Sequence, residues 1–230
     1  MSKHSCGGTL VGTKYVITAA HCTDQGLKPE DLMVRVGDTS LAEEFEAESF
    51  TYSVASITNH PDHDIVTKQN DIAVLELSTP VPLDKYPHIK PACLPDAGST
   101  FHGEAVVTGW GHFKTLGNQP SWLNEVDVTV FADGDCGVMN DRMTEDMMCA
   151  GVMKGGKDTC QNDSGGPMVA ADPRRNGAMS LIGVTSWGLG CGLPDKPGIY
   201  AEVSHFTNWL NQQMPNLSTC PPPPPSNGRM

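Results

Sequence analysis

The sequence predicts an all-β protein from its turn-forming residues, its short strand-like runs and its single helical pattern. The 230 residues include 24 Gly, 18 Pro and 8 Cys, a composition that argues against a bundle of helices. An all-β chain of this length commonly forms one compact unit of two barrels around a sizeable core. We therefore expect strands through most of the chain.

The predicted strands are short runs rich in β-branched and apolar residues, bounded by Gly, Pro, Asn and Asp. They recur at a spacing typical of barrels. The chain contains no internal sequence repeat of fixed period. In chain order they are residues 15–19, 32–36, 53–57, 72–77, 105–109, 126–130, 167–170, 181–187 and 198–203.

One segment near the end of the chain has the period of an amphipathic helix. Phe206, Trp209 and Leu210 share one face at positions i, i+3 and i+4. Ser204 is the expected N-cap, and Pro215 ends the pattern. We expect a single C-terminal helix here.

A proline-rich stretch divides the chain. Five prolines between residues 79 and 95 are too many for a central strand, so the stretch is expected to link two β subdomains. The division near residue 90 gives an N-terminal half over 1–90 and a C-terminal half over 91–214. The remaining residues, 215–230, form a Pro-rich tail. Its consecutive prolines at 221–225 predict an extended polyproline II segment that lacks the side chains to build a core.

Charge and cysteine content restrict the partners and the compartment. A formal net charge of −12 opposes binding to nucleic acid or anionic membrane and favours cationic partners. No apolar run approaches the roughly 20 residues needed to cross a bilayer. Eight cysteines without a repeated CxxC pair favour disulfides in an oxidising compartment. The protein is therefore expected to be secreted, although the first 25 residues lack a signal-peptide pattern.

Three sequence blocks contain the residue types that hydrolyse an amide through a serine. His21 lies in Thr-Ala-Ala-His-Cys, Asp71 in Asn-Asp-Ile-Ala-Val-Leu and Ser164 in Asp-Ser-Gly-Gly-Pro. The chemistry needs a nucleophile, a base, a carboxylate that orients the base, and donors for the oxyanion. A lone His or Ser is more often a surface residue. The order of all three blocks makes catalysis the preferred interpretation.

These blocks resemble the trypsin and chymotrypsin family of serine endopeptidases over about residues 5–214. Further matching segments, in the family's order, are 6–8 (CGG), 109–111 (GWG), 148–151 (MCAG), 186–188 (SWG) and 197–200 (PGIY). The resemblance implies two packed antiparallel six-stranded Greek-key barrels with a C-terminal helix, the first barrel incomplete at its N-terminus. It makes His21 the general base and then acid, Asp71 its orienting carboxylate, and Ser164 the nucleophile of an acyl-enzyme, with Ser186 supporting Asp71.

The same resemblance implies cleavage after Arg or Lys. Asp158, six residues before Ser164, matches the acidic residue at the bottom of the trypsin specificity pocket, where a carboxylate pairs with a cationic side chain. Gly188 and Gly198 match the open pocket walls, and the substrate-binding set also includes Ser186 and Trp187. The implied partners are proteins or peptides with Arg or Lys before the cleaved bond, and protein protease inhibitors. The alternative is an Asp that only caps a turn.

The resemblance also implies disulfides. It leaves Cys93 and Cys220 without an assigned pair. In relatives, a Cys in a Pro-Ala-Cys-Leu-Pro segment often ties the catalytic domain to an upstream pro-segment, so Cys93 is expected to bond either to such a segment or to Cys220. The implied pairs are Cys6 with Cys22, Cys136 with Cys149, and Cys160 with Cys191.

No cofactor is expected, and metal binding is a weak interpretation. Asp38, Glu43 and Glu48 fall in the loop that binds calcium in some trypsins. Phe45 occupies one carboxylate position, so a solvated acidic loop is the alternative. The segment 60–64 (HPDHD) could suggest zinc, but it lacks a further ligand or a helical register. We expect it to be an exposed loop.

Two departures from the family raise an alternative function. Family members are activated when cleavage frees an amino terminus, typically Ile-Val-Gly-Gly, that pairs with the Asp before the catalytic serine, here Asp163. No such start precedes Ser5, and roughly 20 to 25 family residues are absent, so we expect an incomplete, zymogen-type domain that is nearly inactive as written. Asn162 replaces the Gly whose N–H forms the oxyanion hole with that of Ser164, although Asn tolerates positive φ. The alternative is a catalytically poor homologue that binds or regulates partners.

Overall fold

The structure is a computed structural model that describes residues 4–42, 49–112, 117–175, 177–215, 217 and 220. Within this part of the chain, two antiparallel β sheets and one C-terminal α-helix confirm the predicted fold class. The elements are β1 (Thr9–Val11), β2 (Tyr15–Thr18), β3 (Met33–Val36), β4 (Phe50–Asn59), β5 (Ala73–Leu77), β6 (Gly103–Gly109), β7 (Asn124–Val130), β8 (Met147–Gly151), β9 (Pro167–Asp172), β10 (Ala178–Trp187), β11 (Gly198–Glu202) and α1 (Val203–Gln213).

The first sheet contains five strands in the order β1-β2-β5-β4-β3. Strand β2 pairs antiparallel with β5, with Thr18 opposite Ala73, and β4 pairs with both β5 and β3. Leu75 and Leu77 of β5 pack with Val16 and Val54 in the interior of this sheet. This β2–β5 pairing places the residues after β2 beside those before β5.

The second sheet is a closed barrel of six strands in the order β10-β11-β8-β7-β6-β9. Closure pairs every strand on both sides, so this sheet has no exposed edge. Its interior is filled by apolar side chains from different strands, including Val107, Val128, Met168, Ile182 and Tyr200.

The helix packs where the two sheets meet. Its Phe206 and Leu210 belong to one buried cluster with Ile17 and Ile72 of the first half and Val184 of the second. This shared core holds the two sheets together.

The helix begins two residues before the position that its sequence indicated, because Glu202 and not Ser204 stands at the N-cap. Val203 is its first residue, and Glu202 stands at the N-cap position without a side-chain cap. Ser204 is therefore in the first turn, where its Oγ donates to Glu202 Oε1 at 2.9 Å, and the prediction that Ser204 caps the helix was wrong. The helix ends at Gln213, before Pro215 as expected.

Leu210→Ala should destabilise the whole fold, because this fully buried side chain contacts the core shared by both sheets. We expect a loss of about 2–5 kcal/mol in the free energy of unfolding. The exposed Gln212 of the same helix is the matched control, and Gln212→Ala should change stability by less than about 0.5 kcal/mol. Denaturant unfolding measures both, and equal losses would contradict the packing.

Candidate active site

His21 and Asp71 are brought together by the register of the first sheet. His21 lies in the 3-10 turn Ala20–Cys22 that follows β2, and Asp71 lies two residues before β5. Because Thr18 faces Ala73, the two side chains meet. His21 Nδ1 lies 2.7 Å from Asp71 Oδ2, and the His21 backbone N–H donates to Asp71 Oδ1 at 2.8 Å.

Asp71 is an ionised carboxylate in a buried position. It has no exposed surface, and Ser186 Oγ of β10 donates a further hydrogen bond to Oδ2. Burial alone would raise the pKa of Asp71, but the hydrogen bonds and charge of His21, together with Ser186, outweigh it and hold the pKa below its usual range. The carboxylate therefore orients the imidazole.

Ser164 lies on a tight turn against the end of β2. The Gly7 N–H donates to the Ser164 carbonyl at 2.8 Å, and the Gly165 N–H donates to the Thr185 carbonyl at 2.8 Å. Gly165 has φ of +76°, and a Cβ there would collide with Thr18 Oγ1 and lie 2.6 Å from the Gly7 carbonyl. This close packing holds Ser164 beside Thr18, three residues before His21.

Ser164 also lines a pocket of about 150 Å³ with Asp158 at one end and Trp187, Gly188 and Gly198 along its walls. A Cβ on Gly198 would lie 2.9 Å from Asp158 Oδ1, whereas a Cβ on Gly188 would meet its nearest atom at 3.5 Å. The glycines therefore keep the pocket open down to the carboxylate.

The carboxylate of Asp158 has two backbone partners. The Thr159 N–H donates to Oδ1 at 2.8 Å and the Gly192 N–H donates to Oδ2 at 2.9 Å. Burial nevertheless raises the pKa of Asp158 to about 6. A cation entering the pocket would favour the ionised form and pair with it.

The peptide before Asn162 has a defined orientation. The Gln161 carbonyl accepts a hydrogen bond from the His112 N–H at 2.9 Å, so the Asn162 N–H, trans to it, points away from His112. Asn162 has φ of +75°. Its carbonyl lies 2.9 Å from His4 Nε2, and its Nδ2 lies 3.3 Å from His112 Nε2. These contacts stabilise the left-handed conformation that the sequence suggested Asn would tolerate.

A family model described as Trypsin matches residues 1–210. The chain belongs to the trypsin family. It is 38% identical over 213 residues to Trypsin-1 from Astacus astacus, covering 91% of this chain and 87% of that protein. It is 38% identical over 222 residues to the Vitellin-degrading protease from Bombyx mori, covering 93% and 78%. It is 38% identical over 217 residues to Transmembrane protease serine 11C from Mus musculus, covering 92% and 48%.

This membership makes the chain a serine endopeptidase by class, a hydrolase of the kind that acts on protein substrates. Its fold, its sequence and its relatives agree on the family. None of the helices in the described residues is long and apolar enough to span a membrane.

In this trypsin-family chain Asp163 is buried beside a second, larger cavity. The Gly111 N–H donates to Asp163 Oδ1 at 2.7 Å and the Cys160 N–H donates to Oδ2 at 2.9 Å. Burial raises the pKa of Asp163 against these two bonds and the nearby His4 and His112. The cavity, of about 710 Å³, extends from Asp163 to the side chains of β3.

Two hydrogen-bond donors in this larger cavity have no acceptor. Trp110 Nε1 and Gln119 Nε2 are buried side-chain atoms without a partner among the described residues. Such groups cost free energy unless something binds them. The cavity is therefore suited to a segment that carries backbone carbonyls.

All eight cysteines are paired in the structure. Cys93 bonds to Cys220, which is the second of the two partners considered for it. The pairs are Cys6–Cys22, Cys93–Cys220, Cys136–Cys149 and Cys160–Cys191.

The metal-binding candidates do not come together in the described residues, where no cluster of three or more suitable ligands occurs. Asp38 Oδ2 lies 2.8 Å from Arg35 Nε, and Glu43 and Glu48 lie outside the part that the structure describes. The expectation that segment 60–64 is simply exposed was wrong for His63, whose side chain is only 6% exposed.

The raised pKa of Asp158 predicts pH-dependent binding of cations in the pocket. Because the protonated carboxyl cannot pair with a cation, the affinity for benzamidine, an amidinium probe, should fall as pH decreases below about 6, by about tenfold per pH unit. Calorimetric titration between pH 4.5 and 8 measures it. Asp158→Asn should remove both the tight binding and its pH dependence, and a flat profile for the unmodified chain would contradict the assignment.

Proposed function

We propose that this chain hydrolyses peptide bonds after Arg or Lys through an acyl-enzyme on Ser164. The observation that carries the proposal is the pocket that Ser164 shares with Asp158, a buried carboxylate between glycine walls. A guanidinium or ammonium group at the end of a long side chain would pair with this carboxylate and place the following peptide bond beside Ser164.

His21 is the proposed base. It takes the proton from Ser164 Oγ as the oxygen attacks the carbonyl carbon, and then gives it to the leaving amine. The N–H groups of Asn162 and Ser164 bind the oxygen that becomes negative. Water then attacks the acyl-enzyme, again with His21 as base, and releases the acid product and Ser164. Asp71, held by Ser186, stabilises the imidazolium in each step.

The substrate preference is tested with peptide amides that differ only in the residue before the cleaved bond. We expect kcat/KM for Arg and Lys to exceed that for Phe and Leu by about 10³-fold or more, since an apolar side chain leaves the buried carboxylate unpaired. Asp158→Ser should remove most of the cleavage after Arg. The control is Asp127→Ser, which changes an exposed carboxylate of β7. A preference for Phe or Leu would show that the pocket selects apolar side chains.

The alternative function is that of a catalytically poor homologue that binds or regulates partners. Covalent labelling of Ser164 distinguishes this alternative from an active enzyme. An organophosphonate that reacts with an activated serine should label Ser164 stoichiometrically in an active enzyme, and Ser164→Ala should abolish the label. Because the chain as written is expected to be nearly inactive, the labelling is done with an Ile-Val-Gly-Gly peptide present. Absence of the label from a folded chain under these conditions would favour the binding function.

We infer that the protein works outside the cell. Disulfides persist in oxidising compartments, and all eight cysteines are paired in the structure. Extracellular protein substrates and protein protease inhibitors are the partners that fit this location. Two relatives have the word transmembrane in their names. An extracellular enzyme that is attached to a membrane through another segment is therefore also consistent with this proposal.

We further propose that Asp163 is the acceptor for an amino-terminal ammonium, in the manner of a zymogen. The support is the larger cavity beside Asp163, with its donors on Trp110 and Gln119 that lack acceptors. An extended peptide would supply carbonyls to these donors and a cation to the buried carboxylate. Its binding would stabilise the turn on which Asn162 and Ser164 present their N–H groups.

A peptide with a free amino terminus should therefore activate the chain. Ile-Val-Gly-Gly at millimolar concentration should raise kcat on an Arg substrate several-fold, because it pairs with Asp163 and fills the cavity. The acetylated peptide, which lacks the ammonium, is the control and should have no effect. Asp163→Asn should abolish the response. Equal rates with the two peptides would exclude the proposed cation site.

A further inference from the structure

A second histidine lies next to the catalytic carboxylate, 4.0 Å from its Oδ1. His63, in the loop between β4 and β5, points its Nε2 at Asp24 Oδ2 at 3.1 Å, and the same nitrogen lies 4.0 Å from Asp71 Oδ1. Its Nδ1 lies 3.2 Å from the Gln69 carbonyl oxygen. The His63 side chain is 6% exposed and that of Asp24 is 13% exposed.

The two nitrogens of His63 both face oxygen atoms that can only accept hydrogen bonds. A backbone carbonyl is an acceptor, and so is an ionised carboxylate. A neutral imidazole has one N–H and would leave its second nitrogen against an acceptor without a proton between them. The imidazolium form donates from both nitrogens and satisfies both contacts.

The loop geometry fixes His63 in this place. The His63 N–H donates to the His60 carbonyl at 3.1 Å, and the Asp64 N–H donates to the Gln69 carbonyl at 3.0 Å. On the other side, the Asp24 N–H donates to the Ala20 carbonyl at 2.9 Å, so Asp24 belongs to the turn that carries His21. The ion pair thus joins the His21 turn to the loop that leads to Asp71.

The charged and titratable groups that interact with His63 are mostly carboxylates. Asp24 and Asp71 face its Nε2. Asp64, on its own loop, has a pKa lowered mainly by the N–H groups of Thr67 and Val66 and partly by the charge of His63. Burial lowers the pKa of His60, which keeps that ring neutral at neutral pH. Within the part of the chain that the structure describes, two buried or half-buried carboxylates, those of Asp24 and Asp71, therefore lie within 4.0 Å of His63 Nε2.

We propose that His63 is a positioning residue of the catalytic centre. It is an imidazolium that pairs with Asp24 next to Asp71, and its charge sets the proton affinity of His21. The pair His63–Asp24 adds no net charge, so His21 responds to one carboxylate, Asp71. Without His63, it would respond to two. His21 would then hold its proton more strongly and would be the free base only at higher pH. This inference rests on the proposed function for the role of His21, but not for the state of His63.

The protonation state of His63 is measured directly by ¹⁵N NMR of the imidazole groups in the full chain at pH 7.5. We expect two N–H signals from His63, assigned by their loss in His63→Gln. A neutral ring with a single N–H would overturn the proposal. This measurement does not require the chain to be active. The variant serves only to assign the signals, and magnetisation transfer through the ring carbons of the unmodified chain provides the same assignment if the variant folds poorly.

The effect on His21 is measured as its NMR titration midpoint and as the acid limb of kcat/KM for an Arg substrate. His63→Gln keeps a hydrogen-bond donor but removes the charge, and both readouts should move to higher pH by about 0.5 to 1 unit. His63→Gln with Asp24→Asn removes both charges and should return both readouts to the original pH. His102→Gln, which changes an exposed histidine of the second half, is the matched control and should change neither.

The outcomes separate this inference from the proposed function. Two results would overturn the inference: an unshifted His21 titration in His63→Gln, or a shift that the added Asp24→Asn does not reverse. If His63 had a purely structural role, the His21 titration would not depend on the charges of His63 and Asp24. If the NMR midpoint moves as expected but no variant cleaves a substrate or labels Ser164, the inference stands and the proposed function fails.

Discussion

The carboxylate of Asp71 is fully buried, and the active site depends on how its charge is compensated. Removing an ion from water costs several kcal/mol unless hydrogen bonds and opposite charge replace the lost hydration. The His21 backbone, its imidazole and Ser186 all donate to Asp71. These bonds require β2 and β5 to pair in their observed register and β10 of the other sheet to pack against them. The site therefore forms only when the two sheets are packed together.

The second half of the chain also supports Asp71 through its neighbour. Asn70 has φ of +55°, in the left-handed region that Asn adopts more readily than most residues other than Gly, and its N–H donates to Asp146 Oδ2 at 2.6 Å. Asp146 is 1% exposed, and the Glu202 N–H donates to its carbonyl at 2.8 Å. A carboxylate next to β8, in the second half of the chain, thus fixes the turn that presents Asp71.

The sequence predicts the parts of this structure that depend on local pattern. Nine of the eleven strands overlap predicted runs, but β1 and β8 were missed. Strand β1 has three residues, too few for a period, and β8 (Met147–Gly151) is buried along its whole length and contains no β-branched residue. Tertiary packing alone makes β8 a strand. The helix start was misplaced because Ser204 has the right side chain for a cap but not the right backbone.

For the site, motifs indicated His21, Asp71, Ser164 and Asp158, but not the residues that act through them. Local sequence cannot show that His63 reaches Asp24, 39 residues away, or that Asp146 reaches Asn70, 76 residues away. The histidine-rich loop did contain a signal, but it suggested metal binding or exposure. To decide which nitrogens of His63 carry protons, one must know where the hydrogen-bond acceptors lie, and only the folded chain shows their positions.

Three buried carboxylates illustrate how donors, not burial alone, decide the charge of an acid. The pKa of Asp71 is lowered because His21 and Ser186 donate to it, whereas the pKa values of Asp158 and Asp163 are raised because each has only two backbone donors against the cost of burial. The charge of Asp163 also contributes to the raised pKa of Asp158. A cation that neutralises Asp163 would therefore help Asp158 to ionise and to bind a basic side chain. By linkage, a basic side chain bound at Asp158 would strengthen binding of that cation by the same factor. The two cavities are thus coupled through charge, in addition to any movement of the turn between them.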